Sequence, residues 1–231
     1  MTAPALEVLH CCNHVLCVAK PAGLPVVPDS SGDESLFDRA KAWVKAEFHK
    51  PGEVFLGVVH RLDRPVSGVV CFARTSKGAA RLTACFREKT AEKTYVAVTT
   101  ASLARKQGTV EHWLLKDTAR NVVRVVGESV AGAKQARTEY RVLESRGGRD
   151  LVELRPITGR SHQLRVAMAS LGAPLVGDLK YGAAEPLPDK SVALHARRLC
   201  VPHPTRDEII DVTATLPTPA VWRGWSVLGR R

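Results

Sequence analysis

The sequence predicts an α+β fold with a mixed, mostly antiparallel β-sheet flanked by helices and loops. Two observations lead to this class. Several short segments alternate apolar and polar residues with a period of two, which is typical of half-buried antiparallel strands. A few segments with the apolar spacing of amphipathic helices are inserted among those strands. The chain has 231 residues, enough to bury a large core, and we expect residues 1–231 to form a single domain.

In the first half of the chain, residues 25–35 are rich in turn residues and are predicted to form a loop, and a helix is predicted to follow it. Residues 54–74 indicate two apolar strands around a turn. Ser76 is suited to cap the next helix, and we expect the side with Ala80 and Cys85 to meet the core. The apolar positions of the first helix have helical spacing: Leu36, Ala40, Trp43, Val44 and Phe48.

The second half is rich in strands. Residues 136–143, 151–155 and 208–214 alternate strictly, with Thr138, Tyr140 and Val142 opposing the charged side chains in the first of them. A helix is predicted from about Ser161, and Gly172 is placed to end it.

The net charge of +11 is unevenly distributed. Residues 1–59 hold five basic and seven acidic residues, a net charge of −2, whereas residues 60–231 hold 29 and 16, a net charge of +13. A surplus of this size on one region indicates a polyanionic partner, most simply a nucleic acid, although a solvated basic surface is the alternative.

The sequence also argues against several classes of protein. It contains no P-loop, no dinucleotide-binding glycine motif, no zincin motif and no nucleophile elbow. The six cysteines show no C-x-x-C spacing, so we expect buried small hydrophobes rather than a zinc site. No apolar stretch has the length of a membrane helix, and the start has no signal-peptide character, so we expect a cytoplasmic protein.

Two polar stretches are candidates for chemistry. Residues 60–68, HRLDRPVSG, place Asp63 between Arg61 and Arg64 in a turn between strands, where a solvated charge cluster is the alternative. Residues 155–165, RPITGRSHQLR, join a strand to a helix start, where free N–H groups and Arg160 would favour an anion. Thr158 or Ser161 acting only as a helix cap is the alternative there.

Two aromatic side chains complete the set of candidates. Tyr95 opens a strand after a basic helix and could stack on a base, or it could be a core residue. His195 lies inside an apolar strand, and we interpret it as structural.

Together these stretches resemble the RluA family of RNA pseudouridine synthases. The resemblance rests on ordered motifs over nearly the whole chain: AKPAGLPVVP at 19–28, HRLDRPVSG at 60–68, EKTYVAV at 92–98, RPITGRSHQLRV at 155–166, GAPLVGDLKYG at 172–182 and ALHARRL at 193–199. Val66 and Ala167 depart from the pattern at positions outside the proposed chemistry. Since the opening loop begins by about residue 19, we expect no separate S4-type RNA-binding domain.

The resemblance implies an isomerase that converts uridine in RNA to pseudouridine without a metal or organic cofactor. By it, Asp63 is the catalytic residue, either attacking C1′ or assisting at C2′, Tyr95 stacks on the target base, and Arg160 pairs with Asp63. Arg61 is expected to enter the RNA stack where the target nucleotide leaves.

The expected substrate is a stem-loop of ribosomal or transfer RNA, because sequence-specific RNA recognition favours splayed bases. Arg64, His162 and Arg165 complete the expected RNA contacts, and we expect a monomer. Two alternatives are a non-catalytic RNA-binding protein on the same fold, and a hydrolase using Asp63 and His162 as an acid–base pair.

Overall fold

The computed structural model describes residues 6–228. Within this range the chain divides into two compact units, which are described separately. Unit 1 comprises the chain up to Glu92 together with Ala196–Thr215, and unit 2 comprises Lys93–His195 together with the chain from Leu216 onward. The single domain over residues 1–231 stays a prediction, and its first five and last three residues lie outside the described residues.

Unit 1 is a mostly antiparallel sheet with two helices. Its strands have the order β1–β2–β4–β10, with β3 paired to β4 and β11 to β10. The register of the β1–β2, β2–β4, β3–β4 and β10–β11 pairs is antiparallel. The elements are β1 (Glu7–Cys11), β2 (Val15–Lys20), α1 (Leu36–Glu47), β3 (Gly57–Val58), β4 (Ser67–Ala73), α2 (Ser76–Glu88), β10 (Leu194–Pro202, in this unit from Ala196) and β11 (Ile209–Thr213).

The first helix forms as predicted, and the second differs in detail. A reciprocal capping box between Ser35 and Asp38 starts α1, whose buried residues are on the predicted stripe. The cap of α2 is Thr75 rather than Ser76, because the Thr75 hydroxyl accepts the N–H of Gly78. The buried residues of α2 are Gly78 and Leu82. Of the predicted core side, Cys85 is half-buried one turn beyond Leu82, whereas Ala80 is exposed, so the prediction is wrong for Ala80.

Unit 2 is an antiparallel sheet with the order β5–β9–β8–β6–β7 and one helix. The alternation in β8 is confirmed, since Thr138 and Tyr140 are buried, Arg137 and Arg141 are exposed, and Glu139 is half-buried. Leu114, Val123 and Ala136 form one apolar cluster with Val166 of the helix. The elements are β5 (Glu92–Val98), β6 (Gln107–Asp117), β7 (Val122–Val126), β8 (Lys134–Arg146), β9 (Arg149–Pro156) and α3 (Gln163–Ser170).

The helix of unit 2 begins two residues later than the sequence predicts. His162, in the left-handed region at φ 51°, precedes α3 and makes no side-chain cap, and Gly172 follows its end at φ 73° as predicted. The predicted α+β class with a mixed, mostly antiparallel sheet is therefore confirmed. No helix in residues 6–228 is long and apolar enough to cross a membrane.

Candidate active site

The turn between β3 and β4 presents Asp63. Leu62 and Val66 are buried on either side of it, whereas Arg61 and Arg64 are exposed and Asp63 is half-buried. The N–H of Val66 donates to the Asp63 carbonyl at 3.0 Å, which closes the turn. Burial of two apolar side chains therefore fixes the backbone on either side of half-buried Asp63.

A buried lysine lies against this turn. The Lys20 ammonium donates to the carbonyl oxygens of Pro21, Leu24 and Arg64 at 3.0, 2.7 and 3.0 Å. Burial lowers the pKa of Lys20 to about 7; the Asp63 charge opposes this shift and the Arg64 charge adds to it. Lys20 lies in the AKPAGLPVVP stretch at 19–28, but nothing in the sequence predicted that this lysine would be buried or have a role.

The side chain of Arg64 binds Gly23 and the loop over residues 25–35. Its guanidinium donates to the Gly23 carbonyl at 2.9 Å, to the Ser31 hydroxyl at 3.1 Å and to the Asp33 carboxylate. The hydrogen bond from Arg64 lowers the pKa of Asp33. RNA contact by Arg64 stays a prediction; its guanidinium has five N–H donors, of which these three hydrogen bonds engage three.

Tyr95 lies on the face of the unit 2 sheet against which α3 packs. It is directly opposite Leu154, which in turn is opposite Tyr140, so all three side chains share one face. The neighbouring strand β6 carries Leu114 on the same face, and Leu114 belongs to the apolar cluster that includes Val166 of α3. Tyr95 itself is half-buried, as a stacking platform on a strand requires.

The turn that carries Arg160 is tied to β8 by a buried amide. The side-chain oxygen of Gln163 accepts the Arg160 N–H at 3.0 Å and the Thr158 hydroxyl at 2.7 Å. Its NH₂ group donates to the Arg137 carbonyl and to the Thr138 hydroxyl, both at 2.9 Å. Neither Thr158 nor Ser161 caps α3, so the cap alternative is wrong; Thr158 instead fixes the turn through Gln163.

The side chain of Arg160 is exposed and its Nε donates to the Gln135 carbonyl at 3.0 Å. This turn and the strand of Tyr95 are neighbours in unit 2, since a Cβ added at Gly159 would lie 3.9 Å from Lys93 Nζ. Asp63 belongs to unit 1, and its pairing with Arg160 stays a prediction.

Two residues predicted to contact RNA are buried. Arg165, 5% exposed, binds Asp178, 1% exposed, through two hydrogen bonds of 2.7 Å. His162 is also buried, and its Nδ1 is 2.6 Å from the Tyr181 hydroxyl, which accepts the Val123 N–H at 2.9 Å. These contacts show that both side chains bind other parts of unit 2. Their contact with RNA stays a prediction.

The residues that bind Arg165 and His162 were not predicted from the sequence. Asp178 and Tyr181 belong to the GDLKYG stretch, which is part of the family resemblance, but no local sequence pattern predicted their contacts with Arg165 and His162. Gln163 lies in the RPITGRSHQLRV stretch at 155–166, but no role was predicted for it from the sequence.

His195 and the cysteines lie among packed side chains of the two units. His195 is 2% exposed and packs edge-on against Trp222 with ring centroids 6.1 Å apart, in keeping with the structural interpretation. The expectation that the six cysteines are mostly buried is wrong for four of them. Cys17 and Cys71 are opposite each other in the β2–β4 pair and fully buried, whereas the other four are half-buried: Cys11, Cys12, Cys85 and Cys200. Across residues 6–228, no group of three or more His, Cys, Asp or Glu side chains has an arrangement that could hold a metal ion.

Comparison with known proteins defines the class of this protein. The model of the RNA pseudouridylate synthase family matches residues 14–170. The chain therefore belongs to this family, and it is an isomerase that converts uridine in RNA to pseudouridine. The RluA-type resemblance is supported by relatives that carry that name.

Individual relatives agree over nearly the whole chain. The dual-specificity RNA pseudouridine synthase RluA of Yersinia pestis is 36% identical over 199 residues, covering 85% of this chain and 92% of the relative. The uncharacterized RNA pseudouridine synthase YhcT of Bacillus subtilis is 35% identical over 215 residues, covering 92% and 69%. The solved structure of human RNA pseudouridylate synthase domain containing 4 superposes with a TM-score of 0.76 at 27% identity, covering 91% and 88%.

Proposed function

We propose that this enzyme isomerises specific uridines in ribosomal RNA, transfer RNA or both, with Asp63 as its catalytic carboxylate. The observation that carries the assignment is the Asp63 turn, in which half-buried Asp63 lies between buried Leu62 and Val66 and the Val66 N–H donates to the Asp63 carbonyl. A relative of 36% identity bears a dual-specificity name, which supports more than one class of RNA as substrate.

The reaction breaks the N1–C1′ glycosidic bond, turns the uracil and forms a C5–C1′ bond. The proton on C5 is lost and N1 gains one, so the atoms balance without an oxidant or reductant. Asp63 in its ionised form attacks C1′ or assists at C2′. Both routes need an accessible carboxylate held against the ribose.

Tyr95 and Arg160 are the other proposed catalytic residues. Stacking on Tyr95 offsets the few kcal/mol that extruding the target uridine costs, since base–aromatic stacking contributes about 1–3 kcal/mol. Arg160, with its backbone held by Gln163, pairs with the Asp63 carboxylate.

RNA binding is proposed to involve Arg61, Arg64, His162 and Arg165 and the basic surplus beyond residue 59. Exposed Arg61 and Arg64 flank the catalytic carboxylate and suit contact with phosphate or with the stack. A stem-loop substrate, a monomeric state and a cytoplasmic location belong to the same proposal.

The test compares Asp63→Ala with the wild type on unmodified transcripts of ribosomal and transfer RNA. We expect the variant to form no pseudouridine while its RNA affinity stays within about threefold of the wild type, because one carboxylate contributes little to phosphate binding. Asp207→Ala removes an exposed carboxylate elsewhere in unit 1 and is the matched control, with full activity expected. Wild-type turnover by Asp63→Ala would refute the assignment.

A further inference from the structure

Trp113 lies on the face of the unit 2 sheet that points away from α3. The next residue of β6, Leu114, is buried in the apolar cluster that includes Val166 of that helix. Successive side chains of a strand point to opposite faces of the sheet, so Trp113 is on the outward face, where it is half-buried. Part of a large aromatic ring is therefore open to solvent.

The four tryptophans of the chain differ in their partners. Trp43 and Trp222 each pack edge-on against another aromatic ring, with centroids 6.1 Å apart. The Trp225 indole N–H donates to the Val221 carbonyl at 2.9 Å. Within residues 6–228, the Trp113 indole has neither an aromatic ring partner nor a hydrogen bond. Its flat face and its N–H group are therefore suited to an external ligand.

Trp113 lies between two arginines on the neighbouring strands. It is directly opposite Val126 of β7 on one side and Gln135 of β8 on the other. Arg124 and Arg137 each lie two residues along from these positions, so they share the outward face at diagonal sites about 7–8 Å from Trp113. Both arginines are exposed. We name the side chains of Trp113, Arg124 and Arg137 the Trp113 platform.

The charge immediately around the indole is positive. Arg137 pairs with Glu111 at 3.5 Å, and both side chains are about half exposed, which makes the pair weak. Across the described part of the chain, Arg124 forms no ion pair. Arg160 borders the platform, because its Nε donates to the Gln135 carbonyl at 3.0 Å. Exposed guanidinium groups beside an open aromatic ring are the combination that binds single-stranded nucleic acid.

We propose that the Trp113 platform binds a single-stranded segment of the substrate RNA next to the target uridine. One unpaired base stacks on Trp113, and Arg124 and Arg137 contact phosphates on either side of it. Arg160, a proposed catalytic residue, adjoins the platform, so the bound segment lies close to the target nucleotide in the RNA strand. The inference rests on the proposed ribosomal or transfer RNA substrate and adds a binding surface outside the Asp63 turn.

The first test measures the Kd of full-chain variants for unmodified transcripts of ribosomal and transfer RNA. Trp113→Leu keeps an apolar side chain but has no ring, so Kd should rise about 5- to 100-fold, the fold-change of one lost base–aromatic stack. Trp113→Phe keeps a ring and should lose less than Trp113→Leu, whereas a purely structural site would not favour Phe. The control is Trp43→Leu at a half-buried tryptophan of unit 1, with a Kd within about twofold of the wild type.

The second test measures how Kd depends on salt. Each phosphate contact to a single strand contributes about 0.7 to the slope of log Kd against log salt concentration. Arg124→Gln should therefore lower this slope by about 0.7. The control is Arg141→Gln, which removes an exposed arginine of the same face that is paired with Glu153, and it should leave the slope unchanged.

A Trp113→Leu variant with a Kd within about twofold of the wild type overturns the inference and would assign the platform to a protein partner instead. If Trp113→Leu fails to fold by circular dichroism, the exposed Arg124→Gln change decides, and an unchanged salt slope overturns the inference. Failure of the wild type to bind either transcript would reject the proposed substrates and this inference with them. Turnover by Asp63→Ala would reject the catalytic assignment alone, so the failures are distinguishable.

Discussion

The buried ion pair between Arg165 and Asp178 should be the costliest polar interaction to break in unit 2. The two side chains are 5% and 1% exposed and share two hydrogen bonds of 2.7 Å. The change Asp178→Ala leaves a guanidinium buried without its carboxylate. Breaking such a pair costs about 3–5 kcal/mol, far more than a surface pair, because the remaining charge is not resolvated.

Urea unfolding followed by circular dichroism measures the loss. For a chain of this size, about 3–5 kcal/mol corresponds to a melting temperature lower by about 6–20 °C. The control is Glu111→Ala, which breaks the half-exposed Arg137–Glu111 pair of the same unit and should cost no more than about 1 kcal/mol. The double change Asp178→Ala with Arg165→Met should be less destabilising than Asp178→Ala alone, since no charge is then stranded. Equal, small losses in the two single variants would refute the reasoning.

Three further changes test other parts of the structure. Gly68→Ala should lower the free energy of unfolding by about 3 kcal/mol or more, because Gly68 has φ 120° and an added Cβ would clash with the Ala196 carbonyl oxygen. A melting temperature equal to that of the wild type would contradict this prediction. Gln163→Met should destabilise by about 1–3 kcal/mol and speed hydrogen exchange at the Arg160 N–H, and unchanged exchange by NMR would argue against the network. Pseudouridine formation should survive excess EDTA, and inhibition that added Mg²⁺ or Zn²⁺ reverses would favour a metal-dependent reaction.

Regular local patterns predicted most of the fold. The spacing of Leu36, Ala40 and Val44 gave α1, and the alternation through Thr138 and Tyr140 gave the inward face of β8, because one buried face imposes its period on the sequence. The cap of α2 was misplaced by one residue, since Thr75 and Ser76 are both good caps and only the backbone geometry selects one.

The sequence by itself determined the family, the class of fold and the position of Asp63 in a turn between strands. Those properties follow from residue order, from local periodicity and from motifs that are contiguous in the chain. Only the tertiary structure decided which charges are buried and what they bind. Lys20 meets the Arg64 carbonyl 44 residues away, and Arg165 meets Asp178. Local sequence does not specify such partners, because whether a cation is solvated or buried depends on chain segments that only folding brings together.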